Sequence, residues 1–219
     1  NFVAYPFTKS PIAGMDIVTY TGDKVAGRQV PHNIGVAPDM MFVKQLTGNN
    51  LIVYFRPAGA THFGYLDLNN AFSANAGVWN NTHPDASVFT LGNNNAVNNV
   101  TTDYIAYLFA SIPGFSKVFS YTGNGSTNGV FVHLGFKPAF ILRKPTGTGG
   151  WGVWDNQRNP YNPAGTILSP DASSAEGSSN YETDFLSNGF KARNTAWNAN
   201  GSTYVGIAFA EHPFGRRGL

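Results

Sequence analysis

Apolar residues in this chain alternate with polar ones over short runs, and Gly, Asn, Pro and Ser divide the runs. A period of two marks β-strands with one face buried. The pattern predicts strands at Asp16 to Tyr20, Arg28 to His32, Met40 to Leu46, Leu51 to Phe55, Phe63 to Leu68, Ser87 to Leu91 and Tyr104 to Ala110. The first two flank a Gly-containing turn, Thr21 to Gly27, and Thr47-Gly48-Asn49-Asn50 reads as a hairpin loop. Asn93 to Asn99 and Asp171 to Tyr181 read as polar, irregular loops, with room for one helical turn at Ser173 to Asn180. No long amphipathic helix is visible.

The same strand pattern is written again. Further strands are predicted at Lys117 to Tyr121, Val130 to His133, Phe140 to Lys144, Trp151 to Asp155, Thr166 to Leu168, Gly189 to Arg193 and Thr203 to Ala210. Tyr20-Thr21-Gly22 returns as Tyr121-Thr122-Gly123. His32-Asn33-Ile34-Gly35 returns as His133-Leu134-Gly135, with Pro38 and Pro138 following. Tyr104 to Ala110 returns as Tyr204 to Ala210, and from Gly35/Gly135 onward the landmarks keep an offset of 100. A pattern repeated at fixed spacing predicts an all-β protein of two tandem homologous units of about 100 residues, each a β-sandwich or compact barrel. The expected divisions are residues 1–16, 17–113 and 114–219, the first holding the terminal strand of a preceding repeat. Phe2-Val3-Ala4-Tyr5-Pro6-Phe7 resembles Tyr104 to Phe109, so residues 2–7 are expected to pair as a strand. The chain would then be a fragment, a processed product or part of a longer polypeptide. The short, partly apolar linker Ser111 to Ser116 predicts that the units pack against each other.

Composition narrows the function. Charged residues are 12% of the chain, hydrophobic ones 42%, and the net charge is +2. Nucleic-acid binding normally needs a basic stripe, and here Lys and Arg are scattered. No apolar stretch approaches the length of a membrane-spanning helix. There is no cysteine, which disfavours a small disulfide-stapled secreted domain. So little charge predicts a homo-oligomer whose apolar surface is shared between subunits.

Enzyme signatures are missing. There is no Gly-x-Ser-x-Gly elbow, P-loop, His-Glu-x-x-His helix or cysteine nucleophile. The densest acidic stretch, Asp171, Glu176, Glu182 and Asp184, lacks the Asp/Asn alternation and Gly of a Ca²⁺ loop. Neither a catalytic residue, a metal site nor a cofactor is assigned. Gly35/Pro38 and Gly135/Pro138 are read as structural corners, and His32 and His133 as side chains that pin those corners by a hydrogen bond. Lys44 and Lys144 are read as exposed ends on buried stems. The binding candidates are Trp79, Asn80, Asn81 and His83, and Trp197, Asn198 and Asn200. A flat aromatic face beside amides suits a sugar ring.

The paired Tyr-Thr-Gly and His-x-Leu/Ile-Gly-x-x-Pro segments resemble repeats of tailed-bacteriophage structural proteins. Trp154-Asp155-Asn156-Gln157-Arg158-Asn159-Pro160 and Asp184 to Lys191 are similar in style, and the resemblance spans nearly the whole chain. It implies a virion component, a tail fibre or other surface appendage contributing to host attachment, trimeric if a fibre. Its partners would be other virion proteins and a host surface glycan or protein receptor. The alternatives are an architectural capsid decoration or tail connector, and a carbohydrate-binding module or glycan hydrolase.

Overall fold

The computed structural model describes residues 6–48, 50–178 and 181–213. In the first half the strands are β1 (Met15–Thr21), β2 (Arg28–Pro31), β3 (Met40–Gln45), β4 (Leu51–Phe55), β5 (His62–Tyr65), β6 (Ser73–Ala74), β7 (Val88–Leu91) and β8 (Asp103–Phe109). One-turn helices α1 (Ala76–Trp79) and α2 (Asn95–Asn98) flank β7. The second half holds β9 (Ser116–Thr122), β10 (Phe131–His133), β11 (Pro138–Pro145), β12 (Gly152–Asp155), β13 (Thr183–Leu186), β14 (Gly189–Ala192) and β15 (Thr203–Ala210).

The protein is all-β, and its strand pairs are antiparallel. The first main sheet runs β1-β8-β3-β4-β5-β6, and the second β12-β11-β15-β9. Read from β9, the second sheet repeats the first four strands of the first: opening strand, closing strand, then a hairpin. Each main sheet has a small companion, β2-β7 in the first half and β10-β14-β13 in the second. The registers match in detail. Tyr20 lies opposite Tyr104 and stacks on it at 5.1 Å, and Tyr121 lies opposite Tyr204 and stacks at 4.8 Å.

The inner strands of the main sheets are buried on both faces, and alternation divides the side chains between two cores. On β8, Tyr104, Ala106 and Leu108 face the companion layer of the first half, while Phe109 faces the other half. On β15, Tyr204 and Ala208 turn to the companion sheet, and Val205 and Ile207 to the first half. Met15, Met40, Val53, Phe55, Leu142, Trp151 and Val153 complete this central core between the halves. Burying each such aliphatic side chain contributes about 1.5–3 kcal/mol, so the central core fixes the two halves to each other. Phe55 stacks on Trp151 at 5.9 Å across the junction, and the Trp151 indole N–H donates to Tyr65 O at 2.6 Å.

The Gly corners form as expected. Gly35 has φ 80° and Gly135 φ 86°, a region that a side chain enters only with strain. Elsewhere the structure departs from the alternation pattern. β1 and β2 do not pair across the Thr21–Gly27 turn; the chain leaves one sheet and enters the other, because β1 is held by β8 and β2 by β7. Residues 95–98 are a helical turn, since the Asn94 side chain accepts from Ala96 N at 2.9 Å and caps it. Residues 173–178 hold no helical turn, and Gly177 bridges to Ile167 instead. Residues 2–5 lie outside the described residues. Pro6 to Lys9 are not in a strand, but Phe7 packs between Phe109 (5.6 Å) and Phe209 (5.0 Å), one from each half.

Candidate functional site

The expected aromatic platforms are not at the surface. Trp79 is 1% exposed and packs edge-on to Tyr54 at 5.8 Å, inside the first core. Trp197 is 8% exposed and meets Trp154 edge-on at 4.7 Å, inside the second. Nor are the two equivalent. The Tyr20 hydroxyl donates to Val97 O (2.7 Å), and the Tyr121 hydroxyl to Trp197 O (2.7 Å), so Trp197 corresponds to Val97. Bulky apolar rings gain more from closing a core than from facing water. Their neighbours Asn80, Asn81, His83 and Asn200 are exposed. The Tyr54 hydroxyl and His83 Nδ1 form a 2.6 Å hydrogen bond.

Asn198 is fully buried and is a structural hub. Its amide donates to Asn124 Oδ1 and to Ser126 O (2.7 Å), while its carbonyl accepts from Asn124 N at 3.1 Å. Asn98 repeats the arrangement in the first half, donating to Val25 O (3.1 Å) and Gly92 O (2.9 Å) and accepting from Asp23 N (3.0 Å). Each Asn ties the loop after Tyr-Thr-Gly to the segment before the last strand. The Gly of Tyr-Thr-Gly allows that approach: a Cβ on Gly22 would lie 2.0 Å from Asn99 O, and one on Gly123 2.2 Å from Ala199 O. The sequence pattern alone missed Asn98, although its offset of 100 from Asn198 was available as a signal.

His32 is buried and pins its corner, with Nε2 3.1 Å from Asp85 O and Nδ1 accepting from Ile34 N at 3.4 Å. His133 does not match it. Its side chain is exposed beside Phe131, and only its backbone carbonyl is used, accepting from Lys117 Nζ at 3.0 Å. β10 is an edge strand, and the ring packs only loosely, 6.4 Å from that of Phe131.

The least expected chemistry lies on β11. Arg143 is fully buried at the position of Val43 in the first half, and its guanidinium lies over the Trp154 ring at 4.1 Å. Phe190 (5.2 Å), Trp197 (5.5 Å) and Tyr121 (6.0 Å) surround it. Nη2 donates to Thr183 Oγ1 at 2.6 Å, while Nε and Nη1 have no protein partner. Burial pushes the Arg143 pKa down and the Tyr121 phenol up to about 12. The next residue, Lys144, is fully buried rather than snorkelling outward: its ammonium donates to Gly149 O and, across the junction of the halves, to Asn69 O at 3.3 Å.

Burial depresses the Lys144 pKa to about 8, against a weaker opposing pull from Asp171. Between about pH 8 and 10 the folded protein therefore gives up a proton that the unfolded chain keeps. Stability should rise with pH over that window, by an order of 1–3 kcal/mol. Urea denaturation at pH 7.5 and 9.5 checks this, with Lys144→Met expected to flatten the difference.

An apolar cleft of about 380 Å³ opens at the same junction, between Leu66 of the first half and Phe140, Leu142, Val153 and Leu168 of the second. No group of acids and histidines that could hold a metal occurs among the described residues. The carboxylates are committed to loops. Asp16 accepts from Asn33 N (2.7 Å), Asp39 pairs with Arg56 (2.6 Å), and Asp85 caps Ser87 N and Val88 N. Asp155 and Glu176 share Arg158, and Lys137 holds Glu211 in its charged form, with the carboxyl below its usual range.

A family model described as a domain of unknown function (DUF7483) matches residues 6–213. The chain belongs to that family. No curated protein and no solved structure matches it. The DUF7483 match takes in both halves and the central core. No helix among the described residues is long and apolar enough to cross a membrane.

Proposed function

We propose that this DUF7483 chain is a non-catalytic building block of a bacteriophage virion, a tail fibre or other surface appendage that contributes to host attachment. The resemblance of its Tyr-Thr-Gly and His-x-Leu/Ile-Gly-x-x-Pro segments to tail-fibre-like repeats supports the phage assignment. The observation that carries the mechanical part is the use of the carboxylates: Asp16 and Asp85 clamp turns, and Asp39 and Asp155 pair with Arg. The halves are read as copies of one ancestral unit. Three cores and clamped loops give a rigid body, and repetition of such bodies in a homo-oligomer, a trimer in a fibre, raises weak single contacts to useful avidity.

A purely architectural role, as capsid decoration or tail connector, is the second reading. It is favoured by the edge of the second half, where β9 and β10 are both edge strands and Lys117 Nζ reaches across to His133 O at 3.0 Å. Antibody labelling of particles under the electron microscope separates the two. Label at a free appendage tip, with the antibody blocking adsorption to cells, is the expected result. Label confined to the capsid or a tail joint, with adsorption unchanged, selects the architectural reading; absence of the protein from particles overturns both.

A further inference from the structure

Tyr161 is 84% exposed, more than any other large apolar or aromatic side chain described. It sits in the loop between β12 and β13, and the loop is clamped on both sides of it. Asn162 makes a two-way bond with β13, donating to Phe185 O (2.9 Å) and accepting from Phe185 N (2.8 Å). Asn159 Oδ1 accepts from Gly165 N at 2.8 Å and Thr166 N at 3.2 Å. Asp155 caps Gln157 N (3.0 Å) and Arg158 N (2.8 Å). A ring held outward on a fixed backbone loses little conformational freedom when it meets a partner.

Its surroundings are polar. Asn156 bonds to Glu211, which pairs with Lys137, at the same end of the second half as the exposed turn Ser187-Asn188. Gln157 is exposed in the loop itself. A protein-binding anchor usually sits in a surround that closes over it and excludes water. An exposed ring in a loop whose bonds leave Gln157 Oε1 and Asn159 Nδ2 over instead offers an apolar face with hydrogen-bonding groups within four residues of it, which matches the alternating C–H and hydroxyl faces of a pyranose.

We propose that Tyr161, with the amide-rich loop 156–163, is a carbohydrate-contact site that takes a pyranose ring of a cell-surface polysaccharide. This rests on the attachment reading above and names its ligand class and contact residue.

The test uses the purified chain, immobilised bacterial surface polysaccharides, and whole cells of the strain that the particle infects, untreated, periodate-treated or protease-treated. Expected are binding lost after periodate but kept after protease, Tyr161→Ala about tenfold weaker on polysaccharide and cells, and Tyr161→Phe close to the parent. The melting temperature of Tyr161→Ala should match the parent, since the ring touches no core. Parental binding by Tyr161→Ala overturns the site and leaves the attachment reading standing. Loss after protease but not periodate shows a protein receptor and overturns the ligand class. No binding of the parent to any cells overturns both this site and the attachment reading.

Discussion

Arg143→Met is expected to leave the protein at least as stable as the parent, whereas Arg143→Ala should cost about 3 kcal/mol or more. The guanidinium is fully buried, finds one hydroxyl and four aromatic rings, and has two nitrogens without a protein partner. Cation–π contact with Trp154, Phe190, Trp197 and Tyr121 returns roughly 2 kcal/mol in a desolvated site, against several for dehydrating the ion. Methionine keeps most of the volume and removes the charge. The first half already shows the apolar solution, with Val43 at the matching position. Both variants lose the bond to Thr183, whose hydroxyl still donates to Tyr181 O at 3.4 Å, but alanine also leaves a void lined by the same rings. Urea midpoints at pH 7 decide the matter. A Met variant weakened as much as the Ala variant would mean that the orphaned nitrogens are satisfied within the folded protein and that the charge stabilises it.

Much of this architecture was legible because a period of two leaves a trace even where both faces are buried. Tyr104 to Ala110 and Tyr204 to Ala210 were read as strands, and they lie inside the two main sheets. The repeated landmarks marked the Gly corners, because positive φ selects Gly wherever the corner recurs. Pairing was less legible. Nothing local says that Asp16 to Tyr20 goes to β8 rather than to β2, since sheet partners are chosen by packing across the whole chain. β13 went unnoticed because Thr183–Leu186 is short and set in polar sequence.

The candidate site was misread for a related reason. A Trp among Asn residues looks exposed by composition. Yet at Trp197 the amides are themselves structural: Asn194 accepts from Trp197 N at 3.0 Å, and Asn198 ties two loops. Tyr161 is in the opposite situation, flanked by two prolines and amides whose bonds hold the loop while the ring stays outside. Charge on a strand was misjudged too. Lys144 was expected to reach water along its stem, but the other half closes over it, as its bond to Asn69 shows. One unit's sequence carries no sign of that cover.

Asn98→Ala and Asn198→Ala should each destabilise the protein by about 3 kcal/mol, although neither side chain is apolar and both lie in loops by sequence. Each substitution removes at least three hydrogen bonds, worth about 1 kcal/mol apiece, and strands partly buried backbone groups, where each unsatisfied group costs about 1–3 kcal/mol unless water reaches it. For Asn198 the stranded groups are Ser126 O and Asn124 N; for Asn98 they are Gly92 O and Asp23 N, Val25 O keeping its bond from Arg28 N. Aspartate is no substitute, because it cannot donate to the carbonyls and would bury a charge. Asn200→Ala, exposed two residues beyond Asn198, serves as the control and should change stability by less than about 0.5 kcal/mol. Denaturant titration of the four proteins, the parent included, makes the comparison. Small losses at Asn98 and Asn198 would return Asn198 to the list of binding residues. Large losses there, with Asn200→Ala silent, would identify the paired asparagines as the fasteners that hold the Tyr-Thr-Gly loops to the closing strands.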